Sequence, residues 1–121
     1  MFTKLEEIEV WKRSCRLAVN IYQLCEREPL NKDWGLRDQV RRAAVSIASN
    51  ISEGYERNSR VEFRRFLVIA KGSCGELKTQ LYLIKALDVL PASDIDGLLK
   101  EASEISLMIG GLASSLARKK E

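Results

Sequence analysis

Between Val61 and Leu87 the chain carries no proline and repeats apolar side chains at alternating spacings of three and four. Phe63, Phe66, Leu67, Ala70, Cys74, Leu77, Leu81 and Ile84 mark one face. Val61, Val68, Gly72, Gly75, Thr79, Tyr82 and Ala86 keep the same rhythm on a second, and Ile69, Leu83 and Leu87 fall on another side. The spacing is that of a helix with 3.6 residues per turn, not of a strand. A helix apolar around most of its girth needs cover on more sides than one small bundle supplies. Gly72 and Gly75 each disfavour a helix interior by about 1 kcal/mol relative to alanine, a cost that the close approach of another backbone explains. The second face is therefore expected to be an oligomer interface. The competing expectation is that it packs on the first helix of the same chain, since monomers leave little apolar surface bare.

The remaining segments read as the other walls of a helical bundle. Ser59-Arg60-Val61-Glu62 has the capping-box pattern and predicts a helix start running on to about Leu87. Upstream, a helix is predicted from about Leu36 to Ser52. Leu36, Val40, Ala43, Ala44, Ile47 and Ile51 face its core, and Gly54 is available as a left-handed C-terminal cap. A polar line of Gln39, Ser46, Asn50 and Glu53 flanks that face, where solvent or hydrogen bonds between helices are the ordinary fate. From Ile8 to about Arg27 a first helix shows two apolar seams one position apart, one through Trp11, Cys15, Ala18, Tyr22 and Cys25, the other through Val10, Ser14, Leu17, Ile21 and Leu24. Pro29 ends it. After Leu90-Pro91-Ala92, Ser93 and Asp96 open a final helix with Ile95, Leu98, Leu99, Ala102, Ile105, Ile109, Leu112, Ala113 and Leu116 on its face. Gly110 and Gly111 are expected to bend or loosen it, and Arg118-Lys119-Lys120 suits the negative end of its dipole. A chain of 121 residues fits one domain, 1–121, able to bury a core without staples.

Composition excludes most chemistry. The chain has no histidine, which removes the commonest general base, every Ser-His or Cys-His nucleophile and the usual zinc partner. No Walker loop or dinucleotide fingerprint is present. Glu53 and Glu76 lie in partly apolar surroundings without a paired motif. No enzyme, cofactor or metal site is expected. Cys15, Cys25 and Cys74 are odd in number, form no C-x-x-C pair and fall on apolar faces, which argues against a disulfide framework. No apolar run reaches the roughly 20 residues of a membrane span, and Met1 to Val10 lacks a signal-peptide layout, so a cytoplasmic location is expected.

Charge supplies the positive candidate. Residues 37 to 71 hold eight basic against four acidic side chains, whereas either side of that stretch is close to balance. Arg57, Arg64, Lys71, Lys78 and Lys85 recur every seven residues, and in an antiparallel hairpin Arg41 and Arg42 come level with Lys71 to Lys78, with Arg60 and Arg65 at the tip. Such a line spans about 40 Å at 1.5 Å per residue, enough to meet several phosphates. No aromatic residues alternate with the cations, so binding would be backbone-directed and salt-sensitive, without base stacking. The plain alternative is a solvated bundle border paired to acids such as Glu62 and Glu76.

Gly35-Leu36-x-x-Gln39-x-Arg41-Arg42-Ala43-Ala44-x-Ser46-Ile47-x-Ser49-Asn50-Ile51-x-Glu53-Gly54 resembles the signature of the four-helix-bundle family named for the 23S rRNA intervening sequence. Glu62-Phe63-x-x-Phe66-Leu67-x-Ile69-Ala70-x-Gly72-Ser73 and Glu76-Leu77-x-Thr79-Gln80-Leu81 continue it, and Val10-Trp11 matches its opening. The resemblance implies an all-α, up-and-down antiparallel four-helix bundle assembling as a ring-like homo-oligomer, typically a homopentamer. It also implies kinship with the accessory variability determinant of diversity-generating retroelements, which works with a reverse transcriptase and binds nucleic acid through basic surface. Arg41 and Arg42 are the binding positions that carry over. Ala48 stands where the family often has proline, so a straighter second helix is expected. The leading expectation is a non-catalytic oligomer that binds RNA, DNA or a ribonucleoprotein partner through a basic surface on helices two and three. The rival is a protein adaptor that binds no nucleic acid.

Overall fold

The computed structural model describes residues 2–118. Four helices account for most of the chain: α1 Glu9–Cys25, α2 Trp34–Glu56, α3 Arg60–Leu87 and α4 Ala92–Arg118, with short 3-10 turns at Leu5–Glu7 and Leu30–Lys32. α2 packs on α1 and α3, and α4 packs on α3 and α1, so α1 and α3 sit on one diagonal of a four-helix bundle and α2 and α4 on the other. Connections of a few residues leave each helix antiparallel to the one before it. Lys119 and Lys120 of the terminal basic run lie outside the described residues.

The core is where periodicity places it. Val40, Ala43, Ala44, Ile47 and Ile51 of α2, Phe63, Leu67, Ala70, Cys74, Leu77, Leu81 and Ile84 of α3, and the Ile95-to-Leu116 stripe of α4 close around Leu17, Ile21 and Leu24 of α1. Of the two seams on α1, the one through Val10 and Leu17 is buried. The seam through Trp11 forms its border, half-buried at Trp11, Cys15 and Ala18 and exposed at Tyr22. Buried Ser14 donates to the Val10 carbonyl at 2.7 Å, which lets a polar residue sit in that seam.

Helix ends show the local chemistry. Ser59 caps α3 by accepting from the Glu62 amide at 3.2 Å. The reciprocal half of the box does not form, because the Glu62 carboxylate accepts from Arg65 and Arg57 instead. Asp33 caps α2 by accepting from the Leu36 amide at 3.3 Å, so α2 begins two residues before the predicted start.

The predicted role of Gly54 requires correction. α2 runs past it to Glu56, and the left-handed residue is Asn58, at φ 54°. A short polar side chain tolerates that conformation. Gly54 is a glycine because α3 crosses there: a Cβ would stand 2.6 Å from the Phe66 Cβ and 3.2 Å from the Phe63 carbonyl oxygen. α2 is continuous through Ala48, and α4 is continuous through Gly110 and Gly111.

The polar line on α2 is resolved into hydrogen bonds. Ser46 Oγ lies 2.8 Å from Ser73 Oγ across the α2–α3 seam. The Asn50 amide donates to the Ser46 carbonyl and hydroxyl, and Glu53 accepts from Arg57 at 2.8 Å. Gln39 is exposed.

Candidate nucleic-acid interface

The predicted basic line divides into three environments. Arg41 turns toward α1: its guanidinium lies 4.7 Å from the Tyr22 ring centroid and donates to Glu26 at 3.1 Å. Arg42 is exposed beside it, and the two border a shallow depression with Tyr22 and Asp38. Both lie at the height of Lys78 and Leu77, as the Ser46–Ser73 register dictates, but Arg41 is rotated to the flank facing away from α3. A seven-residue reading along the sequence gives height and not rotation.

At the α2–α3 tip, two guanidinium groups lie against Phe66, Arg57 4.9 Å and Arg65 4.5 Å from its ring centroid. Glu53 and Glu62 neutralise them: Arg57 donates to Glu53 at 2.8 Å, and Arg65 to Glu62 at 3.0 Å. The hydrogen bond from Arg65 holds the Glu62 carboxyl below its ordinary range.

The third environment is the flank of α3 that faces α4. The Lys71 stem lies against Gly110, close enough that a Cβ there would stand 3.1 Å from its Cε. Lys85 donates to Asp96 at 2.8 Å, which raises the lysine above its ordinary range. Lys78 sits one heptad from each of them and shares their side. Arg60 and Arg64 open onto a groove with Val61, Val68, Leu116 and Ala117. Sequence reasoning missed the contribution of α4. Lys100, Leu107, Gly111, Ser114 and Arg118, spaced seven, four, three and four, form its outward stripe, and all are exposed. The spacing was the available signal.

Ion pairing divides the cations into two sets. Arg13, Arg16, Arg27, Arg37, Arg41, Arg57, Arg65 and Lys85 each have a carboxylate partner within 3.6 Å. Lys4, Arg42, Arg60, Arg64, Lys71, Lys78, Lys100 and Arg118 have no ion pair with any described residue. Six of these eight lie on α3 and α4, and Arg42 lies on α2.

The second face of α3 is bare. Val61 is 75% exposed, Val68 51% and Tyr82 57%, and Gly72, Gly75, Thr79 and Ala86 are exposed with them. The diagonal placement of α1 rules out the alternative in which this face packs on the first helix. Ile69, Leu83 and Leu87 extend the exposed apolar surface toward α2. Among the described residues no group of histidine, cysteine or carboxylate side chains is arranged to hold a metal, and no helix is long and apolar enough to cross a membrane.

A crystal structure of a protein of unknown function from the S23 ribosomal protein family of Bacteroides thetaiotaomicron superposes with a TM-score of 0.78 at 24% identity, covering 86% of this chain and 97% of that one. At that identity the likeness establishes the fold. No curated protein matches the sequence significantly. The family described as 23S rRNA-intervening sequence protein matches residues 6–111, and with that match spanning nearly the whole bundle, the chain belongs to this family.

Proposed function

We propose that this protein is a non-catalytic, self-associating bundle that binds nucleic acid through its phosphate backbone, using the crest of α3 and α4. The observation that carries the reading is the segregation of unpaired cations. Arg60, Arg64, Lys71 and Lys78 line one flank over about 27 Å at 1.5 Å per residue. Cations without intramolecular partners keep their counterions until a polyanion displaces them, so binding strengthens as salt falls and reads little sequence. Self-association through the bare α3 face, into a ring of the kind the resemblance implies, multiplies the charge presented to one polymer.

The test measures RNA and DNA binding across a salt series for wild type and for a variant with Arg60, Arg64, Lys71 and Lys78 changed to glutamate. Wild type is expected to lose affinity steeply with salt, and the variant to bind at least tenfold more weakly at low salt. Absence of wild-type binding at low salt, or an unchanged variant, overturns the nucleic-acid role and leaves the protein adaptor. Light scattering checks the assembly, which requires a mass at least twice the 13.7 kDa of one chain.

A further inference from the structure

We propose that copies of this chain join head to tail and side by side, Leu107 of one seating in the saddle over Gly72 and Gly75 of the next. The proposal rests on the self-association argued above and names the surface that meets the α3 face.

The shapes match. A Cβ added at Gly72 or Gly75 meets nothing within 4 Å, so the backbone there is open, and exposed Val68 and Thr79 bound it at either end. That hollow takes one projecting aliphatic side chain. Leu107 is 76% exposed, and the next position along its stripe is Gly111, where the surroundings are equally open. A leucine raised above small neighbours is a knob without a hole in its own chain.

The heights match as well. Lys71 against Gly110 and Lys85 against Asp96 fix the register of α3 on α4, and counting from either contact brings Leu107 level with Cys74, midway between the two glycines. Knob and saddle therefore meet between parallel copies with no shift along the bundle axis. A heterologous contact without axial shift is compatible with a closed ring, where a shifted one builds a filament.

Charge agrees on the outer edge of the contact. Arg13 against Met108 and Arg27 against Asp94 fix α1 on α4, and the same count brings Arg16 level with Ile105 and, through α4, with Glu76. Arg16 is mostly exposed, and its one acid, Glu9, is 3.6 Å away. Glu76 is exposed and has no ion pair with any described residue. With parallel copies the α1 side of one lies over the α2 side of the next, so Arg16 and the neighbour's Glu76 share an edge. On the opposite edge the crests of successive copies come together.

Both surfaces are solvent-facing in the single chain, so they can be changed without touching the core. Leu107→Glu removes the knob and Gly75→Arg fills the saddle. Each variant alone is expected to scatter as a single chain of 13.7 kDa with unchanged helical circular dichroism. Mixed in equal amounts, they are expected to form a two-chain particle and nothing larger, because one intact knob meets one intact saddle. Arg16→Glu is expected to weaken assembly at least tenfold, and adding Glu76→Arg to restore it. If wild type is itself a single chain, the self-association reading falls and this inference with it. If wild type assembles and Leu107→Glu assembles equally well, or the mixture stays as single chains, self-association stands and the Leu107 contact is wrong.

Discussion

Gly54 and Phe66 meet where α2 crosses α3, so closely that a Cβ on the glycine would stand 2.6 Å from the phenylalanine Cβ. The obstructing atom is anchored to the α3 backbone and cannot swing away as a flexible tip would. Gly54→Ala would gain about 1 kcal/mol of helix propensity, but overpacking a fitted seam costs about 1–3 kcal/mol. Net destabilisation of up to about 2 kcal/mol is expected in urea or guanidinium unfolding, with an unchanged denaturant slope. A stabilised variant would show that the helices separate freely here. Gly75→Ala, with nothing in its way, should stabilise the isolated chain.

The Arg13 guanidinium ties α1 to α4, donating to Glu101 at 2.9 and 2.6 Å and to Glu104 at 2.7 Å. The hydrogen bond from Arg13 holds the Glu101 carboxyl below its ordinary value of 4.5. Because the folded pKa is depressed, the stabilisation is complete above pH 4.5. It is lost as the pH falls below that value and through the folded pKa. At pH 7, Glu101→Gln is expected to cost about 1 kcal/mol, since the pair is bidentate but remains partly open to water. The stability curves of wild type and variant should converge as the solution is acidified from pH 5 toward pH 3. A constant gap across that range would contradict the assignment.

Much of this architecture was legible because the signals were periodic. The α3 core stripe and the Ser59 cap depend on spacing and on one side chain, and both stand where the sequence puts them. Gly54 was misread because a glycine near a helix end has two physical uses, a left-handed cap and a close crossing. Only the position of Phe66 decides between them. Arg41 shows a second limit: its height beside Lys78 follows from the hairpin, but its rotation toward Tyr22 and Glu26 depends on where α1 packs. The crest on α4 went unread for a related reason. Lys100 and Arg118 are eighteen residues apart, and only the packing of α4 on α3 makes them neighbours of the α3 cations.

The three cysteines differ in their access to solvent, which makes them internal probes of the bundle. Cys74 is fully buried, and burial pushes its thiol up to about 11. Cys25 is also buried and raised by desolvation, with its Sγ 3.9 Å from the Arg37 carbonyl. Cys15 is only half-buried; burial raises its thiol as well, opposed by nearby Arg16. The thiolate is the reactive form, so both protonation and access slow the two buried residues. With a thiol reagent at pH 8 the native protein is expected to label once, at Cys15, while Cys25 and Cys74 label only at the rate of local or global opening. Rapid native labelling of Cys74, located by peptide mass mapping, would mean that the centre of α3 opens far more readily than its packing allows. If the α3 face is covered in solution by another copy, that opening rate should fall further as protein concentration rises.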